Sequence, residues 1–117
     1  MGQQFPSLSE KHIEFIAGQK LFFVATATEN SRVNLSPKGG DGFRVLDANR
    51  VVWLNYTGSG NETAAHLRIH PRMTVMFCAF EGDPVILRLY GIARAIHHND
   101  PDWTEFVGHF PGNPGAR

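Results

Sequence analysis

The stretch from residue 51 to residue 80 constrains the fold most, because it changes twice between strand-like and helix-like patterns. Residues 51–57 (VVWLNYT) are rich in β-branched and aromatic side chains, which are typical of a strand. The glycines of residues 58–60 (GSG) permit a sharp turn, and a helix is expected to begin where this turn ends. Pro71 ends that helix, and residues 72–80 (RMTVMFCAF) return to an extended pattern. We therefore expect a strand, a turn, a short helix and a second strand in succession.

The turn at residues 58–60 is also a candidate binding site. Ser59 and Glu62 have the spacing of a capping box, which places the turn at a helix N-terminus. Free backbone N–H groups and the positive end of the helix dipole favour phosphate there, and Ser59, Asn61 and Thr63 would add side-chain donors. A capped helix without a ligand is the alternative, and the spacing does not separate the two. Neither the Walker pattern nor the GxGxxG fingerprint is present.

The composition is that of one globular domain, which we place over residues 1–117. Hydrophobic residues make up 42% and charged residues 19% of the chain, and the formal net charge is zero. Because nucleic acids and anionic membranes select a basic surplus, this balance argues against both as partners. The single cysteine, Cys78, lies in an apolar strand, so we expect it to be buried in a protein of a reducing compartment. With no secretory signal and no apolar run long enough to cross a bilayer, the expected location is the cytoplasm.

Short strands joined by tight turns make up most of the remaining chain. Ser7 and Glu10 have capping-box spacing, and Gly18 is placed to end an N-terminal helix. Asp100 and Pro101 are typical of the start of a third helix. The pattern predicts a mainly β fold, an antiparallel barrel or sandwich with appended helices. The expected strands are residues 20–28, 32–38, 43–46, 51–57, 72–80 and 85–96.

Two of these strands carry polar side chains that are candidates for a site. In residues 32–38 (RVNLSPK), alternation puts Asn34 and Ser36 on one face, and Lys38 is the next residue of the same parity. In residues 85–96, Arg88 lies between two leucines. A cation in so apolar a setting either meets an anionic partner or faces water, and both alternatives stay open at this point.

The six histidines do not form a known metal motif. His66 and His70 are four residues apart, and we interpret them as a solvated helix face that ends at the following proline. Cys78 has no general base beside it in the sequence, and no GxSxG elbow is present, so nucleophilic catalysis is not indicated. We therefore predict no bound metal and assign no catalytic residue.

Taken in order, these segments resemble the pyridoxamine 5′-phosphate oxidase-like family of flavin-binding split barrels. The resemblance runs from about Phe5 to the end of the chain. Each piece is common by itself, and the order of the pieces is what makes the resemblance specific. The pieces are the N-terminal helix, the FFVATA strand, RVNLSPKG, WLNYTGSGNETAAHL, the His70-Pro71-Arg72 that opens a strand, and RLYGIAR.

The resemblance implies a six-stranded antiparallel split barrel that forms a homodimer, with flavin mononucleotide (FMN) held at the subunit interface. By position, it implies that strand 32–38 lines the flavin and that the turn at residues 58–60 binds its phosphate. Lys38 or Arg88 would supply positive charge to that phosphate. The cofactor-binding residues implied in this way are Asn34, Ser36, Lys38, Asn55, Tyr56, Thr57, Ser59, Asn61, Thr63 and Arg88.

Two departures from the family pattern bear on function. The oxidases continue the phosphate turn with an Arg-Lys pair, whereas this chain has Gly60-Asn61-Glu62, so oxidation of vitamin B6 itself is not expected. Family members also continue with at least one further strand beyond the loop-like residues 112–117 (GNPGAR). We therefore expect a split barrel that lacks its C-terminal strand, with an open edge that dimerisation would cover.

The resemblance favours an FMN-dependent oxidoreductase that transfers a hydride between flavin N5 and a small-molecule substrate. One alternative is a non-catalytic module on the same fold that binds or carries a flavin, a deazaflavin or haem. In the haem case, His66 and His97 are the first candidate ligands. A second alternative is a barrel whose cofactor site has decayed. The spectrum of the bound cofactor distinguishes these functions.

Overall fold

The computed structural model describes residues 3–39, 42–54, 61–97 and 99–110, and the side chains of residues 61–64 are not described. Six strands and three helices follow one another in this part of the chain, which confirms the expected mainly β class. In chain order the elements are α1 (Glu10–Ala17), β1 (Leu21–Thr26), β2 (Asn34–Gly39), β3 (Phe43–Asp47), β4 (Arg50–Trp53), α2 (Asn61–Ile69), β5 (Arg72–Cys78), β6 (Ile86–Ile92) and α3 (Trp103–Val107).

The strands form two antiparallel sheets. A four-stranded sheet has the order β2-β1-β5-β6, and β3 and β4 form a separate hairpin. β1 pairs with β2 from Leu21 opposite Gly39 to Thr26 opposite Asn34, and β5 pairs with β6 along its whole length. Among the described residues no ladder joins the hairpin to the larger sheet. The mainly β class is therefore established, and closure into a split barrel stays a prediction.

Aromatic side chains hold the two sheets together. Alternation buries every second residue of β1 and β5, among them Phe22 and Phe77. The ring centroid of Phe22 lies 4.9 Å from that of Phe43 on β3 and 5.8 Å from that of Trp53 on β4. The ring of Phe77 lies 5.1 Å from that of Phe43 in an edge-to-face contact. The hairpin thus packs on the face that carries Phe22 and Phe77, which we call the inner face of the four-stranded sheet.

Helix α1 is capped by Ser9, and the expected cap at Ser7 is wrong. Ser9 Oγ accepts a hydrogen bond from the His12 N–H at 3.2 Å, and His12 Nδ1 accepts one from the Ser9 N–H at 3.0 Å. His12 Nδ1 therefore accepts the hydrogen bond that a glutamate or glutamine side chain accepts in the usual capping box. Just before the cap, the Leu8 N–H donates to the carbonyl of Ala48 at 2.8 Å. This bond ties the start of α1 to the turn between β3 and β4.

An ion pair closes the turn between β3 and β4. Asp47 Oδ2 accepts a hydrogen bond from Arg50 Nε at 2.8 Å, and Oδ1 accepts one from the Asn49 N–H at 2.8 Å. The hydrogen bond from Arg50 is the main reason why the pKa of the Asp47 carboxyl is lowered. Both charged side chains are exposed, so the pair shapes the turn and adds little to stability.

Several boundaries differ from the expected ones, those of β2 and α3 among them. β2 continues through Pro37 to Gly39, because β2 is an edge strand and an edge tolerates a residue without an N–H donor. Helix α3 begins at Trp103 and not at Pro101. Asp100 Oδ2 accepts a hydrogen bond from the His97 N–H at 2.7 Å, so this carboxylate closes a turn before the helix and does not cap it.

Candidate functional site

The inner face of β2 carries three of the predicted cofactor-binding residues, Asn34, Ser36 and Lys38, which we call the β2 strip. Asn34 and Ser36 are each 7% exposed, and Lys38 is half-buried. In the ladder they stand opposite the inward-facing residues of β1. The prediction that these three residues share a face is confirmed, and that face is the buried one.

Hydrogen bonds connect the β2 strip to β1 and to α2. Ser36 Oγ donates to Asn34 Oδ1 at 3.2 Å, and Asn34 Nδ2 donates to Thr26 Oγ1 at 3.3 Å. Thr26 Oγ1 lies 3.0 Å from Nδ1 of His66, which belongs to α2. All four side chains are buried, and no fully buried side-chain nitrogen or oxygen in the described part of the chain lacks a partner. We call Ser36, Asn34, Thr26 and His66 the buried polar chain.

Lys38 differs from the other two members of the strip in its charge. Burial lowers the pKa of its ammonium group from 10.5, because partial removal from water penalises the charged form. An anion that reaches this amine favours the charged form again and forms a charge-assisted hydrogen bond with it. Lys38 is therefore the group of the β2 strip that is best suited to a phosphate.

Thr26 was not among the predicted site residues, and the interpretation of His66 as a solvated residue was wrong. His66 is not part of a solvated helix face, because it is buried against β1, whereas His70 is half-buried. A signal for Thr26 was present: it has the parity of Phe22, so alternation places its hydroxyl on the buried face, where a hydroxyl needs a partner. For His66 the available signal was its neighbour Leu67, which packs on the core.

Arg88 lies on the opposite face of the sheet from the β2 strip. It pairs with Met76 of β5, and its side chain is exposed, while its neighbours Leu87 and Leu89 pack on the core. Of the two alternatives that the sequence left open, the single chain therefore shows the one in which Arg88 faces water. Within one chain, the thickness of the sheet separates Arg88 from Lys38.

The other predicted cofactor-binding residues cannot be placed relative to the strip. Asn61 and Thr63 belong to the first turns of α2, but their side chains are not described. The remaining four lie outside the described residues: Asn55, Tyr56, Thr57 and Ser59. The assignment of all six as cofactor ligands stays a prediction.

The outer face of the four-stranded sheet is largely apolar. Tyr90 and Ile92 are 76% and 84% exposed, and both lie on this face of β6. Cys78 also lies on this face and is half-buried, so the expectation of a fully buried cysteine is wrong. Other apolar residues continue the surface across the sheet: Leu21, Phe23, Leu35, Met76 and Ile86.

A separate cavity of about 1690 Å³ opens between the N-terminal segment, the hairpin, β6 and α3. Much of its lining is apolar and includes Leu8, Trp53, Leu89 and Phe110. None of the residues of the β2 strip or of the buried polar chain lines it.

In the described ranges, no cluster of three or more histidine, cysteine, aspartate or glutamate side chains is placed to hold a metal ion. No helix in these ranges is long and apolar enough to cross a membrane.

Comparison with known proteins decides the family. The sequence model described as pyridoxamine 5′-phosphate oxidase matches residues 8–113, which is most of the chain. The chain belongs to the pyridoxamine 5′-phosphate oxidase family. A curated relative from Aspergillus flavus, the pyridoxamine 5′-phosphate oxidase family protein ustO, is 42% identical over 106 residues. The match covers 88% of this chain and 43% of the relative, so this chain spans less than half of that protein. No solved structure matches the chain at a comparable level of significance.

Proposed function

We propose that this member of the pyridoxamine 5′-phosphate oxidase family binds FMN and is part of an oxidoreductase that acts on a small-molecule substrate. Its family is generally flavin-binding, which supports FMN as the cofactor. When bound, FMN supplies hydride transfer at its N5 atom, and the protein contributes binding and orientation. Residues 1–117 would form one FMN-binding domain of the split-barrel type.

The observation that carries this proposal is the β2 strip. Asn34 and Ser36 are held by hydrogen bonds to their neighbours, so their side chains are already fixed. Lys38 follows them on the same face, with an ammonium group whose charged form is disfavoured by burial. These side chains fit FMN chemically, because a rigid polar surface that ends in a partly desolvated cation suits a planar, polar cofactor with an anionic phosphate.

The outer face of the sheet supports the proposed homodimer. Exposed apolar side chains lie on β1, β2 and β6, half-buried Met76 and Cys78 lie between them on β5, and a two-fold axis would pair this surface with the same surface of a second copy. Arg88 lies within the same surface, so dimerisation would remove its charge from water. A buried cation needs an anionic partner, and that partner would have to lie on the outer face, since a phosphate beside Lys38 lies on the inner face.

An FMN titration with two lysine variants tests the proposed function. We expect the wild-type protein to quench flavin fluorescence on binding and Lys38→Met to weaken the affinity about tenfold, since one charge-assisted hydrogen bond is lost. Lys11→Met is the matched control, because it removes the same charge from an exposed position on α1. Equal losses in both variants would mean that net charge alone matters. A wild-type protein that does not bind FMN would overturn the proposal.

A further inference from the structure

The buried polar chain connects two elements that carry predicted cofactor-binding residues. One end is Ser36 of β2, and the other is His66 of α2. Thr26 lies between them on β1, where it is 3% exposed. The buried polar chain therefore connects β2 to α2 through the interior of the protein, although Asn34 and His66 are far apart in sequence.

Two of the three hydrogen bonds have a direction that follows from their donor groups. The Ser36 hydroxyl donates to the Asn34 carbonyl oxygen, and the Asn34 amide nitrogen donates to Thr26 Oγ1. Between Thr26 Oγ1 and His66 Nδ1 either group can donate, because a hydroxyl oxygen can accept two hydrogen bonds and the direction depends on the tautomer of His66. An amide in the middle of the row is a poor carrier of protons, so the row serves to fix geometry.

We propose that His66 is a positioning residue that sets the distance between α2 and β2. This inference rests on the proposed function, in which β2 contributes Asn34, Ser36 and Lys38 and the start of α2 contributes Asn61 and Thr63. A cofactor that contacts both elements requires them at a fixed separation. His66 provides this through Thr26, without touching the cofactor itself.

The packing of α2 explains why one histidine has this effect. In the described part of the helix, Leu67 packs on the core, whereas Ala65, Arg68 and Ile69 are exposed. Among the described side chains of α2, Leu67 is thus the apolar contact with the core. The hydrogen bond between His66 and Thr26 adds a second, directional contact, which fixes the orientation of the helix. Loss of this bond is expected to loosen α2 while the aromatic core holds the sheets together.

Substitutions at both ends of the bond test the inference. His66→Leu removes the ring nitrogen that contacts Thr26, and His66→Asn places a side-chain amide group close to the position of Nδ1. Thr26→Val removes the hydroxyl with little change in shape, and Thr26→Ser keeps it. His70→Leu is the matched control, because it changes a half-buried histidine one turn further along the chain. FMN affinity and amide hydrogen exchange in α2, measured without FMN, are the two readouts.

We expect His66→Leu and Thr26→Val each to weaken FMN binding about tenfold, the equivalent of one buried hydrogen bond. Exchange in α2 should accelerate in both variants, while exchange in β5 stays as in the wild type. The variants His66→Asn and Thr26→Ser should restore most of the affinity, and His70→Leu should leave it unchanged. In the double variant His66→Leu/Thr26→Val, the loss should be no larger than in Thr26→Val alone, because that variant already removes the bond between Thr26 and His66, together with the one that Thr26 accepts from Asn34.

Two results would overturn the inference in distinguishable ways. If the wild type binds FMN and His66→Leu binds it equally well, the positioning role is wrong and the proposed function stands. If the wild type binds no FMN, the proposed function and this inference fail together. Should His66→Leu not fold, Thr26→Val breaks the same contact with a nearly isosteric side chain. Because it also removes the acceptor for Asn34, hydrogen exchange in α2 then decides: exchange as slow as in the wild type would overturn the positioning role.

Discussion

At the scale of single residues, Lys38 is the member of the β2 strip whose protonation is affected by burial. Its pKa is lowered by burial, and the reference value in the unfolded chain is 10.5. Between the folded and unfolded pKa values, the unfolded state binds more protons. The free energy of unfolding therefore rises as the pH increases through this window and levels off above 10.5.

The first prediction is that Lys38→Met removes this part of the pH dependence. Without FMN, the variant should be at least as stable as the wild type at neutral pH, because a charge is no longer held partly out of water. Urea unfolding of both proteins across the alkaline range measures the difference. Parallel curves for the two proteins would show that Lys38 carries no burial penalty, and the main reason to place an anion there would be lost.

His66 shows why some site residues could not be predicted at this scale. Alternation along β2 was enough to place Asn34, Ser36 and Lys38 on one face, since strand parity depends only on local geometry. The burial of His66 depends on where α2 meets β1, which is a contact between residues 40 positions apart. Helical spacing predicts that His66 and His70 lie on the same side of the helix. It does not show whether that side faces the sheet or the solvent.

At the scale of secondary-structure elements, the packed rings of Phe22, Phe43, Trp53 and Phe77, which we call the aromatic cluster, connect the hairpin to the four-stranded sheet. Phe77 of β5 is 2% exposed and contacts Phe22 of β1 and Phe43 of β3. We predict that Phe77→Ala destabilises the protein by about 3–5 kcal/mol, because it leaves a cavity between two elements. Phe80→Ala, which changes an exposed phenylalanine at the end of the same segment, should stay within about 0.5 kcal/mol of the wild type.

Thermal or urea unfolding of the two phenylalanine variants provides the test. A loss below about 1 kcal/mol in Phe77→Ala would mean that the hairpin does not depend on this contact. In a Trp103→Phe background, the fluorescence of Trp53, which contacts Phe22 of the same cluster, reports whether the hairpin separates before the sheet unfolds.

The number, type and order of the elements were predictable from the sequence, and their ends were less so. Alternation and turn residues identify strands because both signals are local. Cap positions were harder: Ser7 and Ser9 both precede α1, and the structure uses the one whose partner is a histidine. Asp100 was expected to cap α3, but it accepts a hydrogen bond from His97 instead. Competing local partners decide such cases, and the sequence pattern does not rank them.

At the scale of the whole molecule, strand pairing was the least predictable feature. β1 pairs with β5 across more than forty intervening residues, and no local pattern specifies that neighbour. The pattern of strands and turns left a barrel or a sandwich open, and the resemblance to the family implied a six-stranded split barrel. The same pairing leaves an apolar outer face, on which Tyr90 and Leu35 are exposed, and this surface is the basis for the proposed dimer.

We predict that Tyr90→Asp and Leu35→Asp each convert the dimer to a monomer, since both place a charge within an apolar interface. Ile69→Asp is the control, because Ile69 is an exposed apolar residue on α2, away from the outer face of the sheet. Sedimentation velocity measures the oligomeric state of all three variants. A dimer that persists in the two sheet variants would place the interface elsewhere, and the partner for Arg88 would have to be sought within one chain.

The most direct test of the account is the visible absorption spectrum of the freshly purified wild-type protein, followed by mass analysis of the cofactor that denaturation releases. The account predicts a flavin spectrum and the release of FMN. A deazaflavin or haem spectrum would mean that the protein has a cofactor site but that the cofactor is not FMN. In the case of haem, the oxidoreductase proposal would be withdrawn. A colourless protein that also fails to bind added FMN would contradict the central claim, because the β2 strip would then exist without the cofactor that it is proposed to hold.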